Sequence, residues 1–450
     1  MSELERVLAA VRERVTPDAS EREAMRAAVD ALSSRTREAI RELPVEADVL
    51  QVGSTGRGTW LADDRDIDVF VRFPTSVDRE DLEAYGLRVG RTVLPDGREE
   101  YAEHPYVTGE FRGFDVDLVP CYDVESATGI RSAVDRTPFH SAYLDAHLDD
   151  DLAADVRAFK QFLTGIGAYG SNLKTRGFSG YLAELLVLEY DGLEPLLRAA
   201  ADWNPPVRLD PEGHGTREFD DPLVVIDPTD PERNVAAVCS AENVARLQHY
   251  ARDLLADPRE ELFFRDEPAP VAEADVREYL ARRETTAVAI TFDAPDLVDD
   301  QLYPQLRRSL DGVTGLLALR GFTPVRARAM AADRGALLVE LAVATLPAVE
   351  RHEGPPVGVR THAEGFYGAY ADDPDVYGPF LDGDRYVVER PREHTRAVDL
   401  LASDALFEVG LGAHVETALE DAYEVLVGDE VATLAGEFGT ELARYMAPTV

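Results

Sequence analysis

The sequence predicts an α+β multidomain protein: a mixed sheet with helices, then a helical stretch, then a second α+β region. Three observations carry this. Strand-type alternation dominates from Asp48 to Val119. From Asp149 the period becomes helical, with Val156, Phe159, Leu163 and Ile166 on one face. The acidic, proline-bearing stretch Arg265 to Asp275 then marks a boundary ahead of a new strand. With 450 residues, the chain has room for roughly three or four modules.

In chain order, residues 1–47 read as two acidic helices with Arg-rich turns. Pro95-Asp96-Gly97 marks a turn into a strand around Tyr101 to Val107. Ser179 caps a helix over Gly180 to Glu189. Residues 201–234 are rich in Pro, Asp and Gly, with a strand at Pro222 to Ile226, and Asn234 to Ala256 returns to helix. Beyond the boundary come a strand, Ala287 to Phe292, and a helix, Leu302 to Arg320, with Leu306, Leu310, Val313 and Leu317 on one face. Residues 353–397 read as loop-rich, and helices Val415 to Val427 and Glu430 to Tyr445 close the chain.

The hydrophobic content of 45% is that of a globular protein, but the net charge of −40 is extreme. Among 46 basic residues there are two lysines, Lys160 and Lys174. Acidic excess with almost no lysine resembles proteins of salt-loving archaea. In molar salt the Debye length falls to about 3 Å, which quenches self-repulsion while carboxylates keep the surface hydrated. There the charge argues less against a nucleic-acid partner, because counterion release contributes little and short-range hydrogen bonds and Arg forks must do the recognition. Cys121 and Cys239 sit in apolar contexts and make no disulfide framework. The amphipathic start, Met1 to Val15, is no signal peptide, and the longest apolar tract, Gly335 to Val349, contains Glu340 and is too short to span a bilayer. The expectation is a soluble, cytoplasmic protein with no membrane partner.

The most informative stretch is Gly53-Ser54-Thr55-Gly56-Arg57-Gly58-Thr59, followed by Asp66-Ile67-Asp68. It reads as a Gly-Ser turn feeding a short helix, then a strand. Residues two apart in a strand share a face, so Asp66 and Asp68 project side by side. That costs free energy unless a cation lies between them. A later strand, Arg112 to Pro120, places Asp115 and Asp117 on one face, and period alone does not choose between them. If the two strands are neighbours, three carboxylates converge, enough to hold two Mg²⁺ ions with phosphate and water oxygens. A phosphate-cradling turn beside such carboxylates suits metal-assisted chemistry on a nucleoside triphosphate. Lys160 is also informative: a chain this biased toward arginine keeps a lysine where a compact point charge is needed.

Gly53-Ser54-x-x-Arg57-Gly58-Thr59-x-Leu61 with Asp66-Ile67-Asp68 resembles the nucleotidyltransferase superfamily of the DNA polymerase beta type. More narrowly the chain looks like the archaeal, class I CCA-adding enzymes, tRNA nucleotidyltransferases. That likeness rests on Tyr101 to Val107, Asp117 to Tyr122, Ser132 to His140, Arg176 to Leu182, Arg233 to Ala237 and Val298 to Leu306. The blocks run through residues 50–306, and the last ~100 residues match mainly by length.

The resemblance implies a nucleotidyltransferase catalytic domain (1–148), a helical neck (149–273), and an α+β body and tail (274–450) that holds the tRNA acceptor arm. It implies transfer of CMP, CMP and then AMP from CTP and ATP onto the 3′ end of tRNA, with two Mg²⁺ ions and release of pyrophosphate. It makes Asp66, Asp68 and Asp117 the catalytic and metal-binding carboxylates, with Asp117 deprotonating or orienting the 3′-hydroxyl. Gly53, Ser54, Arg57, His140, Lys160 and Tyr169 would bind the nucleotide. Arg233 would select the base together with phosphates of the tRNA, and Thr137 and Arg176 would lie near the primer end. A homodimer is compatible with it. The rival readings are another enzyme of the superfamily, such as a poly(A) polymerase or a small-molecule nucleotidyltransferase, and a catalytically silent RNA-binding protein. About 300 residues beyond the catalytic unit disfavour a small-molecule substrate, and intact Asp66, Asp68 and Asp117 disfavour a silent one.

Overall fold

Capping chemistry starts the chain. Ser2 opens helix α1 (Glu3–Val15) and Asp18 opens α2 (Ala19–Ile40). Each cap side chain accepts from the glutamate backbone three residues on, and Glu5 and Glu21 reach back. The computed structural model describes residues 1–101 and 103–450. The chain divides into two compact units, residues 1–266 (with Val450) and 267–449.

In the first unit, β1 (Asp48–Val52), α3 (Gly53–Arg57), β2 (Asp66–Pro74), α4 (Arg79–Val93), β3 (Arg98–Tyr101), β4 (Pro105–Phe111) and β5 (Phe114–Asp123) follow in order. The strands form one mixed sheet, β1-β2-β5-β4-β3, parallel at β2–β5 and antiparallel elsewhere. Alternation sends Ile67, Val69, Val71 and Phe73 to one face of β2, where they pack with Met25 and Leu32 of α2 and Leu82 and Val89 of α4. Burying each such side chain stabilises by roughly 1.5–3 kcal/mol. The sheet's other face is left for the site.

Next come α5 (Thr137–His147), α6 (Asp150–Gly165), α7 (Gly180–Glu189), α8 (Leu193–Asp202), β6 (Val207–Leu209), β7 (Leu223–Asp227), β8 (Asp230–Asn234) and α9 (Ala241–Ala256). The helical stripe of α6, with Val156, Phe159 and Leu163, lies in one core with Leu182 and Leu186 of α7 and Leu247 of α9. Leu4, Leu8, Val11 and Val15 of α1 belong to this helical core, not to that of the sheet.

The second unit contains α10 (Glu273–Arg283), β9 (Thr286–Asp293), α11 (Asp299–Leu319), β10 (Thr323–Ala331), β11 (Arg334–Val343), β12 (Val349–Pro356), α12 (Arg360–Tyr370), β13 (Tyr377–Asp382), β14 (Arg385–Pro391), α13 (Ala397–Leu401), α14 (Ala413–Asp421), β15 (Tyr423–Val427) and α15 (Ala435–Met446). Its sheets run β10-β11-β9-β15 and β12-β14-β13. Among the described residues no helix is long and apolar enough to cross a membrane.

Several sequence expectations need correction here. Residues 353–397, expected as loop, contain α12 and most of the small sheet; β14 supplies the central strand, with Val387 and Val388 fully buried. The expected helix Val415 to Val427 stops at Asp421, and Tyr423–Val427 pairs as a strand with β9, Val425 opposite Ile290. Tyr-Glu-Val-Leu-Val suits a strand once an edge is offered. The helix expected from Asn234 begins at Ala241 under a Ser240 cap, which leaves Arg233 on a strand. The strand expected around Tyr101 to Val107 is a hairpin of β3 and β4, and Ala102 of that segment lies outside the described residues.

Candidate active site

The parallel register of β2 and β5 builds the site. Asp66 lies level with Asp115, and Asp68 with Asp117. Between them Ile67 and Val116 are buried on the core face, so the four carboxylates share the opposite face. Asp115 is exposed, whereas Asp117 is half-buried. Burial first, then the charges of Asp117, Asp66 and Asp64, push the Asp68 carboxyl up to about 6. Burial, then Asp64, Asp115 and Asp117, raise Asp66. Burial also raises Asp117, against a hydrogen bond with Thr108. Such crowding is relieved by a cation.

The donor set fits Mg²⁺: hard carboxylate oxygens on a rigid sheet face. Among the described residues no three acidic, His or Cys side chains yet close around one point. The carboxylates therefore offer a rim, not a cage, as suits an ion that keeps waters and phosphate oxygens in its shell.

The Gly-Ser turn lies against this rim. Gly53 has φ +79°, and a Cβ there would overlap the Asp68 carboxylate oxygen. Only glycine allows both the backbone turn and this approach. Gly53, Ser54, Arg57, the carboxylates, Thr137, His140, Lys160 and Tyr169 all line one cleft of about 910 Å³.

Under the cleft Lys160 is 3% exposed. Its Nζ donates to Glu184 Oε1 at 3.0 Å and to the Thr59 carbonyl at 3.1 Å. Arg57 donates to the other Glu184 oxygen at 2.9 Å and to Ser141 Oγ at 3.1 Å, and the Thr59 hydroxyl also donates to Glu184. Burial pushes the Glu184 carboxyl up, but Lys160, Arg57 and the hydrogen bonds outweigh it and hold it below the usual range. Arg57 and Lys160 thus line the cleft as members of a buried cluster, two cations sharing one anion.

A second cluster stands beside it. Asp227, at the end of β7, is fully buried and takes His140 Nε2 at 2.8 Å and Arg233 Nη1 at 2.7 Å. Tyr181 stacks on His140 with ring centroids 4.0 Å apart. Arg233 is outside the cleft lining and joins it through Asp227. Arg176 is also outside; its φ of 54° is left-handed, and its carbonyl accepts from Ser240 and Asn243.

Sequence reasoning missed Glu184, Asp227 and Tyr181. Glu184 did leave a signal: it is the one charge inside the apolar run Leu182 to Leu188, and a carboxylate in such a helix needs buried partners. Asp227 closes the apolar strand Leu223–Ile226 in the same manner.

The nucleotidyltransferase domain family matches over residues 33–140, the stretch that carries the in-register carboxylate strands and the glycine turn. The tRNA nucleotidyltransferase second domain matches residues 154–264, and the CCA-adding enzyme C-terminal domain matches residues 283–428. The CCA-adding enzyme of Halorubrum lacusprofundi is 62% identical, covering 100% of both chains. Those of Haloarcula marismortui and Halobacterium salinarum are 60% identical, covering 99% and 100% of both chains respectively. The chain belongs to the CCA-adding enzymes. Enzymes of this family act on tRNA with nucleoside triphosphates and divalent metal.

Proposed function

We propose that this chain adds or repairs the 3′-terminal CCA of tRNA in the cytoplasm, using CTP and ATP, releasing pyrophosphate and copying no nucleic-acid template. Asp66, Asp68 and Asp117 would hold two Mg²⁺ ions, which would supply stabilisation of the ionised 3′-hydroxyl and of charge on the leaving pyrophosphate. Gly53 and Ser54 cradle the triphosphate, with Arg57, Lys160, His140 and Tyr169 around it. Asp117 takes or orients the proton of the attacking hydroxyl. Arg233 selects the base, and Thr137 and Arg176 face the primer end. Residues 1–148 form the catalytic domain, 149–273 the neck, and 274–450 the part that holds the acceptor arm.

One observation supports this reading above the rest: Asp66 and Asp68 stand level with Asp115 and Asp117 on one sheet face against the Gly53 turn. Its test is Asp68→Asn, which keeps volume and removes one charge. Transfer should be nearly abolished with an unchanged circular dichroism spectrum. Full activity at saturating Mg²⁺ would sink the metal-ligand role.

A further inference from the structure

The polar groups on the Asp227 carboxylate come from four places: α5 supplies His140, α7 Tyr181, the β7–β8 turn Thr229, and β8 Arg233. Oδ2 accepts from both His140 and Arg233, at 2.8 and 2.7 Å. Oδ1 accepts the Thr229 N–H at 2.9 Å, the Thr229 hydroxyl at 2.8 Å and the Tyr181 hydroxyl at 3.3 Å. Every acceptor direction of this buried carboxylate is in use. It is fixed by Thr229 and in turn fixes two side chains of different duty. His140 is in the cleft lining, stacked on Tyr181. Arg233 keeps 34% of its side chain exposed, with one arm tied to Asp227. An arginine with one nitrogen anchored has lost much rotamer freedom, and its remaining N–H edge is presented at a set angle.

We infer that Asp227 is a positioning residue for nucleotide choice: it anchors Arg233 at the angle needed to read the base and ties that arginine to His140 in the nucleotide cleft. This rests on the proposed base-selecting role of Arg233. A carboxamide at this position fails in either orientation. With its oxygen toward His140 and Arg233, its NH₂ faces the donors of Thr229. Flipped, its NH₂ faces the guanidinium. In the first orientation the side chain that holds the guanidinium loses its charge and its Thr229 anchors; in the second the guanidinium loses its acceptor outright, and in both its own charge and reach are unchanged.

The experiment measures kcat and KM for CTP, UTP, GTP and ATP on tRNA ending before the first C, in molar KCl, for wild type, Asp227→Asn and Arg233→Ala. Circular dichroism accompanies each variant. Asp227→Asn should lower the preference for CTP over UTP about tenfold, the scale of one lost bidentate reading contact. Arg233→Ala should move the ratio in the same direction. A purely structural role would lower kcat for all four nucleotides equally and leave the ratio alone, which overturns the proposal. An altered ratio in Arg233→Ala with a wild-type ratio in Asp227→Asn overturns the proposal and leaves base selection by Arg233 standing. An unchanged ratio in Arg233→Ala removes the base-selection reading, and the proposal with it. Should Asp227→Asn fail to fold, Thr229→Val decides: it keeps the carboxylate and removes one anchor. A ratio loosened about twofold or more supports the proposal, and a wild-type ratio overturns it.

Discussion

Glu184→Gln tests whether one buried anion organises the cations of the cleft. Glu184 is 1% exposed, and the side chains of Arg57 and Lys160 are 8% and 4% exposed. Glutamine keeps the volume and the shape. It takes from two buried cations the anion they share, and its NH₂ must face one of them. Breaking a buried pair costs about 3–5 kcal/mol, against a total stability on the order of 5–15 kcal/mol. In a unit of this size that lowers the melting temperature by roughly 6–20 °C. Molar salt screens little of it, because the cluster is buried. The pH dependence has a definite sign. The folded carboxyl lies below its ordinary value of 4.5, so the stabilisation is present above that value and is lost as pH falls through the folded value. The gap between wild type and variant should therefore narrow in acid. With one cation released, KM for CTP should rise about tenfold. Thermal melts in molar KCl from about pH 3 to 7, with nucleotide titrations, provide the assay. A variant within about 1 kcal/mol of wild type, with unchanged KM, would refute the claim that Glu184 holds the two cations.

Lys160→Arg should lower kcat/KM about tenfold or more despite preserved charge: the ammonium fits between Glu184 and the Thr59 carbonyl at 3.0 and 3.1 Å, and a wider guanidinium overpacks the site by about 1–3 kcal/mol. Wild-type kinetics would show that a planar fork serves equally. Asp68, raised to about 6, gives a metal-linked pH effect. Without metal, ionising it takes stability from the folded state as pH rises from its ordinary value through about 6; with Mg²⁺, proton and metal compete. At subsaturating Mg²⁺, transfer should fall below pH 6 and recover as Mg²⁺ is raised; a Mg²⁺ requirement that ignores pH contradicts this. The folded state should also need salt, because 86 acidic against 46 basic residues repel once the Debye length grows from ~3 Å at 1 M to ~10 Å at 0.1 M. Circular dichroism and CMP incorporation across a KCl series should show cooperative loss in dilute buffer. Full folding and activity there would leave the charge unexplained.

The carboxylate face was legible because a strand's period of two needs no tertiary information: Asp66 and Asp68 had to share a side. The neighbouring strand, and with it the levels of Asp115 and Asp117, came from sheet order. Composition singles out Lys160, and it lies buried against Glu184. The clusters beneath were not legible. Arg57 and Glu184 are 127 residues apart, and His140 and Asp227 are 87 apart, so no local pattern links them. Misread elements share one cause. Tyr423–Val427 could continue a helix or form a strand, and the edge of β9 decided. Asn234 reads as a helix start, whereas it ends β8, because the hairpin of β7 and β8 closes on contacts its own sequence does not announce.

The most direct test of the account is transfer by the purified protein in molar KCl with Mg²⁺ onto tRNA lacking its 3′ end, with each nucleoside triphosphate alone and with CTP and ATP together, reading the product ends by sequence. The account predicts CMP additions from CTP alone, a completed CCA and a stop with both, and no transfer with Asp68→Asn. A run of AMP residues beyond CCA, indifferent use of UTP, or no nucleotide added by wild-type protein would contradict it.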